Sequence, residues 1–263
     1  MIKIKDYVRV GSLEEAYELN QKRSACILGG MLWTKMGQRQ VQTAIDLSAL
    51  GLDTIEETET EFRIGAMVSL RQLELHEGFT AYSEGANKEA LRHIVGVQFR
   101  NLATVGGSVF GRFGFSDVLT LLLVMDSYVE LYKGGIVPLA DFLNMPYDRD
   151  ILVRIIVKKT AAHYSYKSVR ISKTDFPVLT CAAALTQEGV QAAVGARPAK
   201  AALVKDAEQL ATLPMTAEKA QAFAEYAAGL LPTETNPRGS AAYRTHLIKV
   251  LTARCLTELG GKA

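Results

Sequence analysis

Two Gly-Gly pairs, Gly29-Gly30 and Gly106-Gly107, each interrupt an apolar run and so decide where this chain must turn. The first closes Ile27-Leu28. The second lies in Thr104-Val105-Gly106-Gly107-Ser108, and Ser116-Asp117 follows at the head of an apolar stretch. Glycine tolerates positive φ and lets another group come close to the main chain. Successive exposed N–H groups in such a turn form a concave nest for phosphate oxygens. Two nests and a carboxylate are what a large, pyrophosphate-bearing cofactor needs. The pattern therefore calls for a fold that brings both turns to one ligand.

The chain of 263 residues is long enough for two or three modest domains with real cores. Its 48% hydrophobic and 22% charged residues describe a soluble globular protein. A net charge of +2 without any block of like charges argues against nucleic-acid binding. The start, Met1 to Asp6, lacks the apolar core of a signal peptide. The longest apolar stretch, Val118 to Met125, contains Thr120 and is too short to span a bilayer. Cys26, Cys181 and Cys255 are scattered, giving neither a disulfide framework nor a C-x-x-C pair. They read as reduced, mostly buried thiols of a cytoplasmic protein with no metal of its own and no membrane contact.

Three units follow one another. The first, residues 1–58, alternates strand and helix. It has a strand at Ile2–Val8, a helix opened by the capping pattern Ser12-Leu13-Glu14-Glu15, and strands at Ala25–Leu28, Val41–Leu47 and Thr54–Thr58. This alternation favours parallel pairing. The second, 59–159, carries helices at Ser69–His76, Glu84–Val95 and Asp117–Met125. A loop at Gln98–Asn101 and strands at Tyr128–Tyr132 and Leu152–Val157 complete it. The third, 160–263, opens with an antiparallel meander of three strands, Tyr164–Val169, Leu179–Leu185 and Val190–Val194. Helices at Ala202–Leu210, Ala217–Leu230 and Ser240–Leu259 end it.

The first turn, running on through Met31-Leu32-Trp33-Thr34-Lys35, has the chemistry to wrap a diphosphate with backbone N–H groups, helped by Thr34 or Lys35. A plain tight turn is the commoner account of an isolated Gly-Gly. Neither G-x-G-x-x-G nor G-x-x-x-x-G-K-[ST] occurs, so Rossmann and Walker phosphate sites are unsupported. At the second turn, Thr104, Ser108 and Ser116 surround the glycines with hydroxyls, and Asp117 suits a polyol such as a ribityl chain. Ser116 as N-cap and Asp117 in a first turn suit a helix just as well. Phe110-Gly111-Arg112-Phe113-Gly114-Phe115 offers rings to cover a flat ligand and Arg112 to pair with phosphate, or else only anchors its loop to the core. In Tyr164-Ser165-Tyr166-Lys167-Ser168-Val169-Arg170, alternation is read as placing both tyrosines and Ser168 on one face, with Lys167 and Arg170 off it. Lys167 is the candidate cation for charge developing on a reduced flavin, although a strand lysine is more often a solvated surface charge. The histidines share no metal-ligand spacing, no nucleophile elbow G-x-S-x-G is present, and Glu56, Glu57, Glu59 and Glu61 read as a solvated hairpin rim.

Taken in order, Ile27-Leu28-Gly29-Gly30, Arg63-Ile64-Gly65-Ala66, Arg100-Asn101-Leu102-Ala103-Thr104-Val105-Gly106-Gly107-Ser108, Ser116-Asp117, Tyr166-Lys167-Ser168-Val169-Arg170 and Val194-Gly195-Ala196-Arg197-Pro198 resemble the FAD-binding (medium) subunit of the molybdenum hydroxylases. That family includes bacterial xanthine and carbon monoxide dehydrogenases. The resemblance implies an α+β chain: a two-subdomain FAD-binding fold of the vanillyl-alcohol-oxidase (PCMH) type, then a C-terminal α+β domain with a three-stranded antiparallel sheet. It implies FAD held by Leu28, Gly29, Gly30, Met31, Leu32, Trp33, Thr34 and Lys35, by Thr104, Gly106, Gly107 and Ser108, by Ser116 and Asp117, and by Lys167 near the isoalloxazine. It also implies a molybdopterin-binding large subunit, a [2Fe–2S] small subunit and NAD⁺ or another acceptor as partners. The family usually has Gly-Gly-Thr where this chain has Met31, which removes a hydroxyl near phosphate. A flavin-free scaffold subunit and a self-sufficient flavin oxidoreductase are the alternatives.

Overall fold

The computed structural model describes residues 2–262; Met1 and Ala263 lie outside the described residues. The first unit holds β1 (Lys3–Arg9), α1 (Leu13–Asn20), β2 (Ala25–Leu28) and β3 (Gln40–Asp46). Its sheet runs β1-β3-β2 with both pairings parallel, the arrangement that strand–helix alternation favours. At the start of α1, the Ser12 hydroxyl accepts from the Glu15 N–H at 3.1 Å. The Glu15 carboxylate reaches back to the Gly11 N–H at 2.9 Å, one residue earlier than in a full capping box. Between β2 and β3 the chain makes a 3₁₀ turn at Thr34–Met36.

The second unit begins with the hairpin β4 (Ile55–Glu57) and β5 (Glu61–Gly65). Six short helices follow: α2 (Leu70–Leu75), α3 (Glu77–Tyr82), α4 (Ala86–Leu91), α5 (Val97–Leu102), α6 (Val105–Phe110) and α7 (Asp117–Leu122). The strands β6 (Ser127–Leu131) and β7 (Gly135–Pro138), the turn of helix α8 (Leu139–Phe142) and β8 (Leu152–Lys158) complete it. The five strands pair antiparallel in the order β4-β5-β8-β6-β7. Three expectations change here. The strand expected at Thr54–Thr58 in the first unit is β4, which pairs antiparallel with β5 and so belongs to the second unit's sheet. The single helix expected at Glu84–Val95 is confined to α4, because Gly85 starts it from a left-handed φ of 83°. The loop expected at Gln98–Asn101 is helix α5, anchored by the buried Arg100, which donates to Glu74 at 2.8 Å.

The third unit contains β9 (Ala162–Val169), β10 (Leu179–Thr186), β11 (Gly189–Gly195), β12 (Ala202–Lys205), α9 (Ala217–Leu230) and α10 (Ala241–Gly260). Residues 202–210 are not a helix. Ala202–Lys205 pairs antiparallel with β11, from Val194↔Ala202 to Gln191↔Lys205, and gives the sheet a fourth strand in the order β12-β11-β10-β9. The reason is period-two burial: Val204 packs into the core under α9 and α10, while Leu203 packs against the core on the other side of the sheet.

That sheet is covered on both faces. Cys181, Ala183, Val190, Ala192 and Val194 pack beneath Phe223 of α9 and Leu251 and Cys255 of α10. On the opposite face, Tyr164, Tyr166, Ala182, Ala184 and Ala193 join the core of the second unit with Leu91, Leu119 and Val157. A strand buried on both sides reads as a near-continuous apolar run, and Leu179–Leu185, broken only by the buried Thr180, is such a run. The alanines let both layers come close to the sheet. The second and third units thus share one core, and a cavity opens where the first unit meets them.

Candidate functional site

The two glycine pairs meet, but they do different work. Gly106 and Gly107 are the second and third residues of α6, whose N-cap is Thr104. Every N–H at that helix start is already taken. Val105 donates to the Val68 carbonyl at 2.8 Å, Gly106 to the Ala66 carbonyl at 2.9 Å and Gly107 to the Thr104 hydroxyl at 3.1 Å. The Ser108 hydroxyl donates to the Thr104 carbonyl at 3.1 Å. The expected second phosphate nest is therefore a closed helix cap. Its glycines serve packing: a Cβ on Gly106 would fall 2.5 Å from the Ala66 carbonyl oxygen. Gly106 is not at the cavity wall, whereas Thr104, Gly107 and Ser108 are.

The first pair leaves its main chain open. Gly30 lies against the second turn so tightly that a Cβ there would sit 1.9 Å from the Leu102 carbonyl oxygen. Among the described residues, the N–H groups of Gly30, Met31, Leu32 and Trp33 find no acceptor. Met31, rather than either glycine, takes the left-handed conformation, with φ 57°. Consecutive free N–H groups around one left-handed residue are the geometry of an anion nest. Gly29, Gly30, Met31, Leu32, Trp33 and Thr34 line a cavity of about 340 Å³, while Leu28 and Lys35 lie outside its wall.

Asp117 sits in the first turn of α7 and is 4% exposed, with Ser116 as the cap accepting from the Leu119 N–H at 3.2 Å. The Tyr166 hydroxyl donates to Asp117 Oδ1 at 2.5 Å, and Arg170 pairs with the same oxygen, leaving Oδ2 to neither. Burial pushes the Asp117 carboxyl above its ordinary pKa, and the Arg170 charge and the tyrosine bond oppose that rise. Burial raises the Tyr166 hydroxyl as well, reinforced by the Asp117 charge, so it stays a donor.

Two sequence expectations fail at this point. Lys167 points to the other face of β9, where it pairs with Glu258 of α10 at 2.6 Å, and it does not line the cavity. Arg170 was read as lying off the tyrosine face, yet it shares the parity of Tyr164, Tyr166 and Ser168. It continues their side just beyond the strand end and lines the cavity with Asp117. Its parity was the available signal. Arg112 also leaves the site: its guanidinium lies 4.1 Å from the Phe142 ring centre and 4.5 Å from that of Tyr147, and it donates to the Met145 carbonyl.

Six aromatic residues line the wall: Trp33, Phe99, Phe110, Phe113, Phe115 and Phe176. Trp33 stacks on Phe176 with centroids 5.5 Å apart and planes at 29°, and meets Phe99 and Phe115 edge-on at 5.9 and 6.0 Å. Phe113 stacks on Phe115 at 5.2 Å, and Phe115 meets Phe176 at 4.6 Å. Phe110 packs against the core of the second unit and so anchors its loop. The other five belong to no core cluster, and Phe113 and Phe115 line the cavity. Phe99 and Phe176 were not singled out from the sequence. Phe176 comes from the loop between β9 and β10, where Asp175-Phe176-Pro177 strands one large apolar residue among turn formers.

Residues 2–159 match the family described as the FAD binding domain in molybdopterin dehydrogenase, and residues 164–259 match the CO dehydrogenase flavoprotein C-terminal domain. The chain belongs to this family of FAD-binding medium subunits of molybdenum hydroxylases, and is thus a subunit type of FAD-dependent oxidoreductases. It is 30% identical over 258 residues to YgfM of Escherichia coli (strain K12), covering 95% of this chain and 94% of that one. It is 28% identical over 276 residues to the nicotine 6-hydroxylase medium subunit of Paenarthrobacter nicotinovorans, covering 97% of each. The fold is shared with a chain of carbon monoxide dehydrogenase from Hydrogenophaga pseudoflava, with a TM-score of 0.86 and 22% identity over 98% of both chains. It is also shared with one of quinoline 2-oxidoreductase from Pseudomonas putida 86, with a TM-score of 0.81 and 20% identity over 98% of this chain and 97% of that one.

The residues present fit FAD. Free N–H groups suit a pyrophosphate, the Oδ2 of Asp117 suits a hydroxyl, and the aromatic wall suits a flat heterocycle. Among the described residues, no helix is long and apolar enough to cross a membrane.

Proposed function

We propose that this chain is the electron-relay subunit of a molybdenum hydroxylase complex. It would take electrons from the [2Fe–2S] clusters of a small subunit, fed by a molybdopterin-binding large subunit, and deliver them through FAD to NAD⁺ or another acceptor in the cytoplasm. The two flavin-binding parts would be residues 1–58 and 59–159 with their boundary moved ahead of β4, and 160–263 would be the domain that packs on them. The observation that carries this reading is the row of free N–H groups from Gly30 to Trp33 at the rim of an aromatic cavity.

Bound flavin supplies the redox chemistry, and the protein's task is to hold and tune it. In this reading the Gly30–Trp33 amides hold the pyrophosphate, aided by the hydroxyl of Thr34. Asp117 accepts from a polyol hydroxyl through Oδ2, held in place by Tyr166 and Arg170. Arg170 takes the role first assigned to Lys167: a fixed, partly desolvated cation beside the ligand. The aromatic wall keeps water from one side of the ring. Apart from the Arg-paired Asp117 and the peripheral Asp175, the cavity wall carries no carboxylate and no histidine that could serve an organic substrate. This favours a relay over a self-sufficient oxidoreductase.

The test is the absorption spectrum of the purified full chain. Bound flavin bands, and co-purification with two larger and smaller partners, are the expected outcome. A colourless protein that takes up no added FAD would overturn the proposal.

A further inference from the structure

We propose that Trp33 and Phe176 form an aromatic clasp that bridges the first and third units and recognises the flat ring of FAD. The inference rests on the flavin reading above and adds the residues that grip the ring.

Trp33 belongs to the first unit, directly after the nest, and Phe176 to the β9–β10 loop of the third. Their stack at 5.5 Å bridges the two units at the cavity. Neither ring is held as core residues are. Trp33 is 40% exposed, and neither packs into a buried apolar cluster. Large aromatic surface left at a cavity mouth is costly in water unless something flat covers it. The planes lie at 29°, close enough to parallel for either ring to offer a face to a third ring. Phe115, edge-on to both, backs the pair from the second unit. Arg238 lies over Phe176 with its guanidinium 4.8 Å from the ring centre and steadies that half of the clasp.

The anchoring differs on the two sides. Trp33 is fixed in sequence next to the amides that would hold the pyrophosphate, so its distance from that group is set by the backbone. Phe176 is carried by a loop whose neighbour Thr174 has a φ of 72°. The geometry assigns Trp33 as the jaw placed by the nest and Phe176 as the jaw placed by the β9–β10 loop and Arg238. A ligand lacking the flat ring would engage the nest without engaging the clasp.

Trp33 is the only tryptophan in the chain, so the test can read it directly. An indole in van der Waals contact quenches flavin emission strongly. With FAD bound to the full chain, Trp33→Phe should keep affinity within about threefold while raising flavin emission several-fold. Trp33→Ala and Phe176→Ala should each weaken FAD by about three- to tenfold, and leave the affinity for ADP, which lacks the ring, unchanged. Bound FAD whose emission is the same in wild type and Trp33→Phe overturns the clasp and leaves the flavin reading intact. Equal loss of ADP and FAD in the alanine variants also overturns it. If wild type binds no FAD, both readings fall together. Should Trp33→Ala not fold, the emission of Trp33→Phe decides.

Discussion

Gly29-Gly30 and Gly106-Gly107 are the same dipeptide in the same cavity wall region, yet one pair leaves main-chain N–H groups free and the other uses them all. At the second pair, the carbonyls of Val68 and Ala66 and the hydroxyl of Thr104 consume the amides of residues 105–107. At the first, the amides from Gly30 to Trp33 have no acceptor among the described residues. The lesson concerns what a glycine is for. In the second pair it lets two backbones touch, and in the first it lets the chain pass against Leu102 and Ala103 while the next amides stay open at the cavity wall.

The largest effect that could break this contrast is at Asp117. If the second region contributes through its ion pair and not through its helix amides, Asp117→Ala leaves Arg170 buried without its partner and costs about 3–5 kcal/mol of stability in denaturant unfolding. A loss below about 1 kcal/mol would mean that the pair does not hold the region together.

Next come the glycines. Gly106→Ala forces a methyl against the Ala66 backbone and should cost about 1–3 kcal/mol, with FAD affinity per folded molecule unchanged. Gly30→Ala, pressed against Leu102, should lower both stability and FAD retention. If Gly106→Ala impaired flavin binding as much as Gly30→Ala does, the two pairs would be functionally equal after all. Thr104→Ala removes the cap that closes the second pair and should cost about 1 kcal/mol by thermal unfolding. Freed of that cap, the amide of Gly107 would be open to an anion, and a gain in phosphate affinity would sharpen the contrast.

The smallest effect is expected at Met31. Glycine there relieves the left-handed backbone, offsetting the lost packing of a side chain that touches Leu28, Val41 and Ala44, for a net change within about 1 kcal/mol. FAD affinity measured by titration should change little, because the amides and not the side chain make the nest. A large loss of affinity would give the thioether a role that the backbone does not explain.

Much of this architecture could be read from the sequence, because its signals are local. The strands around Ala25–Leu28, Leu152–Lys158 and Leu179–Thr186, and the long helices α9 and α10, follow from periodicity and caps. What was not legible depends on distant partners. Gly-Gly is a poor helix former, yet α6 forms there because Thr104 caps it and Val105 and Val109 are buried. Ala202–Lys205 has good helix formers but pairs with β11 because an unsatisfied sheet edge lies beside it. At the site, Lys167 and Arg170 both looked like strand cations. Which one faces the cavity was fixed by parity, and whether it stays there was fixed by Asp117, fifty-three positions earlier in the chain. Phe176 carried no motif at all, since its meaning depends on Trp33 lying opposite.

The chain can be cut in two on paper, between residues 159 and 164, where one family match ends and the next begins. Its packing does not follow that cut. Tyr164 and Tyr166 stand in the same apolar cluster as Phe62 and Leu119, and the alanines of β10 and β11 floor the helices before them. The C-terminal part is therefore poorly suited to exchange as a cassette between relatives. A graft made at residue 160 would carry away the floor of the flavin domain, so the two halves are expected to have changed together, matching substitutions on one side of that seam with substitutions on the other.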